Sequence, residues 1–152
     1  MKYILASLMV FAFSCSEKDT NPPAPSNTEL LTTGSWKYES GGVDTDRNGT
    51  IDITIESTGF PACKLDNIGT FNANGNGVND EGLTKCNGGD PQTAAFTWSF
   101  ANNETKLNIS GPGFFGINGQ FNITTLTTTK LSVTKDTTVG PLTALLVVNL
   151  KH

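Results

Sequence analysis

Apolar and polar side chains alternate along most of the chain after residue 34. In the clearest example, Phe96, Trp98 and Phe100 alternate with Thr97 and Ser99. A period of two places successive side chains on opposite faces of a strand, so this pattern predicts antiparallel sheet with one buried face. Clusters of Gly, Asn and Pro separate the alternating segments, and these residues are typical of turns.

The alternation predicts an all-β domain of about eight strands. They fall at roughly residues 35–41, 51–56, 66–73, 77–84, 93–101, 105–110, 119–126 with 129–135, and 142–151. Helix formers cluster nowhere for more than one turn, near residues 28–33. The large side chains expected to form the core, or to line a cavity inside the sheet, are Trp36, Phe71, Phe96, Trp98, Phe100 and Phe121.

The first 14 residues have the features of an export signal. Lys2 supplies a positive charge, and the apolar residues 4–13 that follow are too few to span a bilayer. Small residues at Ala12 and Ser14 flank Phe13 just before Cys15, which resembles the bacterial lipobox, in which the cysteine is lipidated. We therefore expect an exported protein anchored to the outer membrane or cell surface through lipid on Cys15. The alternative is an ordinary secretory signal in which Cys15 has no role.

Residues 15–27 are expected to form a tether. After Cys15 this segment contains three prolines and no large apolar side chain, so it cannot pack as part of a core. The folded domain is expected to cover residues 28–152, a length that can bury a hydrophobic core.

The chain has three cysteines, Cys15, Cys63 and Cys86. An odd number in an exported protein leaves one thiol that needs a role. If Cys15 carries lipid, the other two are free to form a disulfide, as an oxidising compartment favours. The alternative is a pair of free thiols.

The Asn-Gly pair at 74–75 is a signal for a two-residue hairpin turn. Such a turn pairs positions whose numbers sum to 149, so Phe71 would face Val78. Cys63 and Cys86 also sum to 149, which predicts that they meet across the same ladder. A second Asn-Gly pair two residues later offers a competing turn.

Gly34-Ser35-Trp36 at the start of the first strand resembles the G-x-W signature of lipocalins, in particular of small bacterial lipocalin-like lipoproteins. Further matching segments lie, in order, at residues 30–31, 63–67, 70–75, 86, 96–100 and 106–109. The resemblance covers residues 28–152 and implies an up-and-down barrel of about eight strands that binds a small apolar ligand. Lipocalins usually place a late Arg against the G-x-W Trp, and the only Arg here is Arg47. The base of the barrel must therefore be closed differently.

One loop has the ligand spacing of a calcium site. The candidate ligands are Asp44, Asp46, Asn48, Thr50 through its backbone carbonyl, and Asp52. With Gly49 at the sharp turn, they match the first three quarters of an EF-hand loop. The twelfth position is Ile55 where a bidentate Glu is expected, so we expect weak Ca²⁺ binding, at roughly 10⁻⁴ to 10⁻³ M. The alternative is a polar hairpin loop that needs no ion.

The net charge and the available side chains argue against two classes of function. A net charge of −4 with no basic patch argues against a nucleic-acid partner. The single histidine, His152, has no nucleophile plausibly placed beside it, so we do not expect an enzyme. Two functions stay open: a barrel that binds a small apolar ligand, and a structural or protein-interaction lipoprotein whose barrel is filled by side chains.

Overall fold

The computed structural model describes residues 22–152, so the predicted signal segment and Cys15 lie outside the described residues. A six-residue helix, α1, covers Asn27–Thr32, one residue earlier than the expected start of the domain, and two 3-10 turns cover Ile55–Thr58 and Ala62–Lys64. The strands are β1 Trp36–Asp44, β2 Ile53–Thr54, β3 Ile68–Phe71, β4 Asn76–Asp80, β5 Thr93–Ala101, β6 Lys106–Phe114, β7 Ile117–Leu126, β8 Lys130–Val139 and β9 Leu142–Lys151.

The strands form one closed antiparallel barrel. β3 to β8 each pair with the next strand in sequence, and β1 pairs with both β3 and β9. Eight strands therefore close the barrel, and β2 is an extra strand beside β1. This confirms the predicted all-β barrel. Among the described residues, no helix has both the length and the apolar character needed to cross a bilayer.

The strand count agrees with the prediction, although one strand was misplaced. Residues 51–56 do not form a barrel strand, because only Ile53–Thr54 pairs with the far end of β1 before the chain enters a 3-10 turn. β3 pairs with the beginning of β1 and completes the barrel instead. Residues 119–126 and 129–135, predicted as one unit, belong to two full strands, β7 and β8.

The hairpin between β3 and β4 has a different register from the predicted one. The Asn72 carbonyl accepts from the Gly75 amide at 3.0 Å, and Gly75 has a φ of +83°. This is a three-residue loop with glycine in the left-handed region, not a two-residue turn. Phe71 consequently pairs with Gly77, and Val78 points outward. The predicted pairing of Phe71 with Val78 is wrong by one residue.

The predicted disulfide is present, although not on that ladder. Cys63 lies in the second 3-10 turn and Cys86 in the loop after β4, with Cα atoms 5.1 Å apart. Both lie beyond the last pair of the β3–β4 ladder, Ile68 with Asp80. On a chain-entropy model, closing a loop of this length stabilises the fold by about 3 kcal/mol.

Aromatic rings fill the middle of the barrel. Phe71, Phe96 and Phe114 contact one another, with ring centroids 4.9 to 5.2 Å apart. Trp98 packs edge-on against Phe71 at 5.6 Å, and Phe115 against Phe114 at 4.4 Å. All five side chains are buried. Phe121 is also buried, and Phe100 packs partly buried against this cluster.

Two inward-facing glycines make room for these rings. A Cβ atom at Gly69 on β3 would overlap the ring of Phe114, and one at Gly77 on β4 would overlap the ring of Phe96. The rings therefore occupy the volume that side chains on two neighbouring strands would otherwise fill. The pattern of alternating residues did not indicate Phe114 as part of the core, because it follows a Gly-Pro-Gly sequence typical of a loop.

The end of the barrel next to α1 is closed by a tryptophan and a histidine. The indole N–H of Trp36 donates to the carbonyl of Leu31 at 2.9 Å, and both residues are fully buried. The His152 ring lies over Trp36, with centroids 3.9 Å apart, and its Nδ1 lies 2.8 Å from the Ser35 carbonyl. His152 thus covers the G-x-W tryptophan, while Arg47 lies beyond the other end of β1.

The contact between Gly69 and Phe114 can be tested by substitution. We expect Gly69→Ala to lower the free energy of unfolding by about 1–3 kcal/mol, because the added methyl group overpacks the core. The matched control is Gly88→Ala, whose methyl group would meet no atom within 4 Å. It should change stability by less than about 0.5 kcal/mol in the same urea titration. Equal stability of the two variants would contradict the packing described.

Candidate functional site

The loop of residues 45–52 folds back onto the outside of the barrel and is held there by a buried aspartate. Asp44, the last residue of β1, is fully buried. Its carboxylate accepts from the Asn48 amide at 3.2 Å and from the Gly49 amide at 2.8 Å. Gly49 has a φ of +93°, a backbone conformation that favours glycine. The sequence therefore folds this loop around Asp44.

Three of the predicted calcium ligands come together in this loop. Carboxylate oxygens of Asp44, Asp46 and Asp52 all lie within 4.8 Å of one another. The hydroxyl and amide of Thr45 donate to Asp52 at 2.6 and 2.7 Å, and these bonds lower the pKa of the exposed Asp52 carboxyl. The cluster offers the carboxylate oxygen ligands that a hard cation prefers.

Asn48, another predicted ligand, already uses its side chain in hydrogen bonds within the loop. The amide nitrogen of the Asn48 side chain donates to Asp46 at 2.9 Å, and its oxygen accepts from the Thr50 amide at 2.8 Å. Glu56, next to the missing twelfth ligand, accepts instead from the Tyr38 hydroxyl at 2.8 Å. Burial and the Glu56 contact raise the pKa of Tyr38. The loop therefore supplies three carboxylates without the bidentate Glu of a full EF-hand.

Arg47 does not neutralise this cluster. Its guanidinium contacts Asp136 on β8 at 2.6 Å, with both side chains substantially exposed. No Lys, Arg or His nitrogen in the described part of the chain lies within 4 Å of the three clustered carboxylates. The cluster therefore has no basic side chain of the described residues as an ion-pair partner.

A groove of about 640 Å³ runs between this loop and the outer surfaces of β7, β8 and β9. We call it the outer groove; its walls include Thr50, Ile51, Thr124, Ser132, Thr134, Leu145, Val147 and Asn149. Gly42 allows the loop to approach, since a Cβ there would overlap the side chain of Ile51. Gly42 pairs with Val147, so Ile51 and Val147 lie side by side on the outside of the barrel.

A hydrogen-bonded row of side chains crosses the strands at the floor of the outer groove. The Ser132 hydroxyl on β8 donates to the Asn149 side-chain oxygen on β9 at 2.7 Å. The Asn149 side-chain nitrogen donates to the Ser40 hydroxyl on β1 at 3.0 Å. Both bonds hold the Asn149 amide in one orientation. Ser132 is only 6% exposed although it faces outward, which shows how far the groove shelters this face.

The two cations that line the outer groove already have partners. Lys130 lies 3.9 Å from Glu39, and Arg47 contacts Asp136. The carboxylate of Asp44, which also lines the groove, accepts hydrogen bonds from backbone amides of the loop. The groove thus presents mainly hydroxyls, an amide and aliphatic side chains.

The sequence pattern did not predict the outer groove. The one available signal was Leu145 and Val147, apolar residues at positions of β9 that alternation assigns to the outer face. An apolar residue facing outward indicates a cover or a partner, but alternation alone does not identify it.

The sequence matches no protein-family model and no curated protein in the comparisons made. The likeness to lipocalins therefore stays a proposal that depends on the ordered motifs and on the closed barrel.

Proposed function

We propose that this chain is a lipid-anchored, lipocalin-like module with a filled barrel, which acts through its outer surface as a structural or interaction protein. The observation that carries the proposal is the contact of Phe71, Phe96 and Phe114 across the barrel interior. The function is one of binding or architecture rather than catalysis.

The packing argues against a carrier of apolar ligands. Ligand pockets for small molecules have volumes of about 300–1,000 Å³ and largely exist before the ligand binds. Here the rings of Phe96 and Phe114 lie so close to the barrel wall that glycine is required beneath each. A ligand inside would have to displace side chains that are at most 2% exposed.

The disulfide and the N-terminal segment support an exported, anchored protein. A disulfide such as Cys63–Cys86 is typical of oxidising compartments, and the lipobox-like segment precedes a Pro-rich tether. In this arrangement α1 and Trp36 lie at the end nearer the tether, and the loop of residues 45–52 lies at the opposite end of β1. The loop would then face away from the membrane, and the outer groove would run along the side of the barrel.

The filled interior can be tested with apolar probes. We expect the protein to bind neither palmitate nor anilinonaphthalene sulfonate at micromolar concentrations, in fluorescence and calorimetric titrations. The positive controls are Phe96→Ala and Phe114→Ala, whose cavities should admit benzene if the variants still melt cooperatively. Stoichiometric binding of palmitate to the unaltered protein would favour the carrier function instead.

The lipid anchor can be tested independently. We expect the mature protein to begin at Cys15, to carry a mass increment for acyl chains, and to fractionate with membranes. Cys15→Ala should release the protein into the soluble fraction, while Cys63→Ala should leave it on the membrane. An unmodified Cys15 in the mature protein, or its absence from it, would refute the anchor.

We also propose weak Ca²⁺ binding by the loop of residues 45–52 together with Asp44. The convergence of three carboxylates without a protein counter-charge supports this proposal, and the all-oxygen donor set suits a hard cation. The ion would relieve repulsion among Asp44, Asp46 and Asp52 and stiffen the edge of the outer groove.

Thermal melts test the calcium proposal. With a dissociation constant near 1 mM, 10 mM CaCl₂ should stabilise the protein by about 1.4 kcal/mol relative to excess chelator. Asp46→Asn, which alters an exposed member of the cluster, should reduce the shift. Asp90→Asn, at an exposed carboxylate elsewhere, should preserve it. Identical melting temperatures in CaCl₂, MgCl₂ and chelator would rule the site out.

A further inference from the structure

We propose that the outer groove binds a neutral, hydroxyl-rich oligosaccharide. This rests on the proposed function in one respect, that recognition takes place outside the barrel. The inference comes from four properties of the groove: its hydrogen-bonding floor, its aliphatic wall, its paired charges and its saturated strand edges.

The floor holds a donor and an acceptor side by side. Asn149 uses one of its two amide protons on Ser40 and accepts one hydrogen bond from Ser132. One proton and one lone pair of the same amide remain, at a fixed orientation. Adjacent donor and acceptor groups suit the neighbouring hydroxyls of a sugar ring, each of which donates and accepts. The hydroxyls of Thr50 and Thr134 on the walls extend this capacity.

The aliphatic wall complements the apolar faces of sugar rings. Ile51, Leu145 and Val147 are all partly exposed and line the groove. Their side chains can cover the C–H groups of a pyranose while the floor binds its hydroxyls. At about 640 Å³, the groove falls within the volume range of small-molecule sites.

The charges in the groove favour a neutral ligand. Lys130 lies 3.9 Å from Glu39 and Arg47 contacts Asp136, so each cation in the lining already has a carboxylate beside it. The protein as a whole is negatively charged, which further disfavours an anionic polymer.

The strand edges disfavour an extended peptide. Peptides that bind to sheets usually add a strand at an open edge and gain main-chain hydrogen bonds. At the groove floor, Ser132 pairs with Thr125 on β7 and Asn149 on β9, and Asn149 also pairs with Ser40 on β1. Because the backbone groups at the groove floor are paired within the barrel, a ligand there would be recognised by side-chain hydroxyls and amides. Such groups suit a ligand that carries hydroxyls.

The test uses the full mature chain with its anchor in lipid nanodiscs. Isothermal titration with maltohexaose, cellohexaose, mannohexaose, galactohexaose and xylohexaose should identify at least one ligand with a dissociation constant of about 1 mM or below. Hexagalacturonate serves as the charged counterpart of galactohexaose and should not bind. For the bound sugar, Asn149→Ala should weaken affinity about tenfold, since it removes hydrogen bonds to uncharged groups.

A second polar row on the outside of the barrel supplies the matched control. Gln120 donates to Asn108 at 2.9 Å, and Asn108 donates to Ser99 at 3.3 Å, across β7, β6 and β5. Asn108 does not line the outer groove. Asn108→Ala should therefore leave sugar affinity unchanged.

A milder pair of variants guards against loss of folding. Thr134→Val removes one hydroxyl from the groove and nearly preserves shape, and Thr97→Val does the same on the outer face of β5. Only Thr134→Val should weaken binding. Failure of every neutral sugar to bind at 10 mM, or equal losses in both variants of a pair, would overturn the inference. Exclusion of palmitate together with that failure would leave the filled-barrel proposal standing and remove only the sugar.

Discussion

The packing of phenylalanine rings over glycines inside a closed sheet is the constraint on which the rest of this structure depends. Phe114 can lie in the barrel only because Gly69 has no side chain, and Phe96 only because Gly77 has none. Once these rings contact Phe71, the interior holds a solid aromatic cluster. Rings packed in this way leave little space for a ligand between them, which is why the proposed binding lies on the outer surface.

A glycine also allows the close packing on the outer surface of the barrel. Gly42 on β1 lets Ile51 lie against the outside of the sheet, and the buried Asp44 holds the loop through two backbone amides. One small residue thus brings the loop close enough to shelter a row of polar side chains on β8, β9 and β1. The acidic cluster and the outer groove are therefore two parts of one feature, the folded-back loop. A cation at the cluster would act on the groove through the loop backbone.

Alternation predicted the antiparallel strands, the resemblance to lipocalins implied their closure into a barrel, and the cysteine count predicted the disulfide, although the ladder expected to bring Cys63 and Cys86 together does not include them. The sequence did not predict the β3–β4 register, since a three-residue loop and a two-residue turn use the same Asn-Gly pair, and only in the structure is Gly77 seen to pair with Phe71 and to face inward against Phe96. Phe114 was missed because Gly-Pro-Gly precedes it. His152 could not be assigned to Trp36 from spacing, since more than a hundred residues separate them. The spacing of the acidic residues was sufficient to predict that three carboxylates cluster. The outer groove could be recognised only once the fold was known.

The most direct measurement of the central claim is the proton NMR spectrum of the two inward-facing glycines. If the rings fill the barrel, ring currents will displace the α-proton resonances of Gly69 and Gly77 from their usual positions, and these protons will show nuclear Overhauser contacts to Phe114 and Phe96 respectively. The α-protons of Gly88, which has no neighbour within 4 Å of its side-chain position, will show neither effect. Unshifted α-protons at Gly69 and Gly77, with no contact to either ring, would contradict a filled barrel.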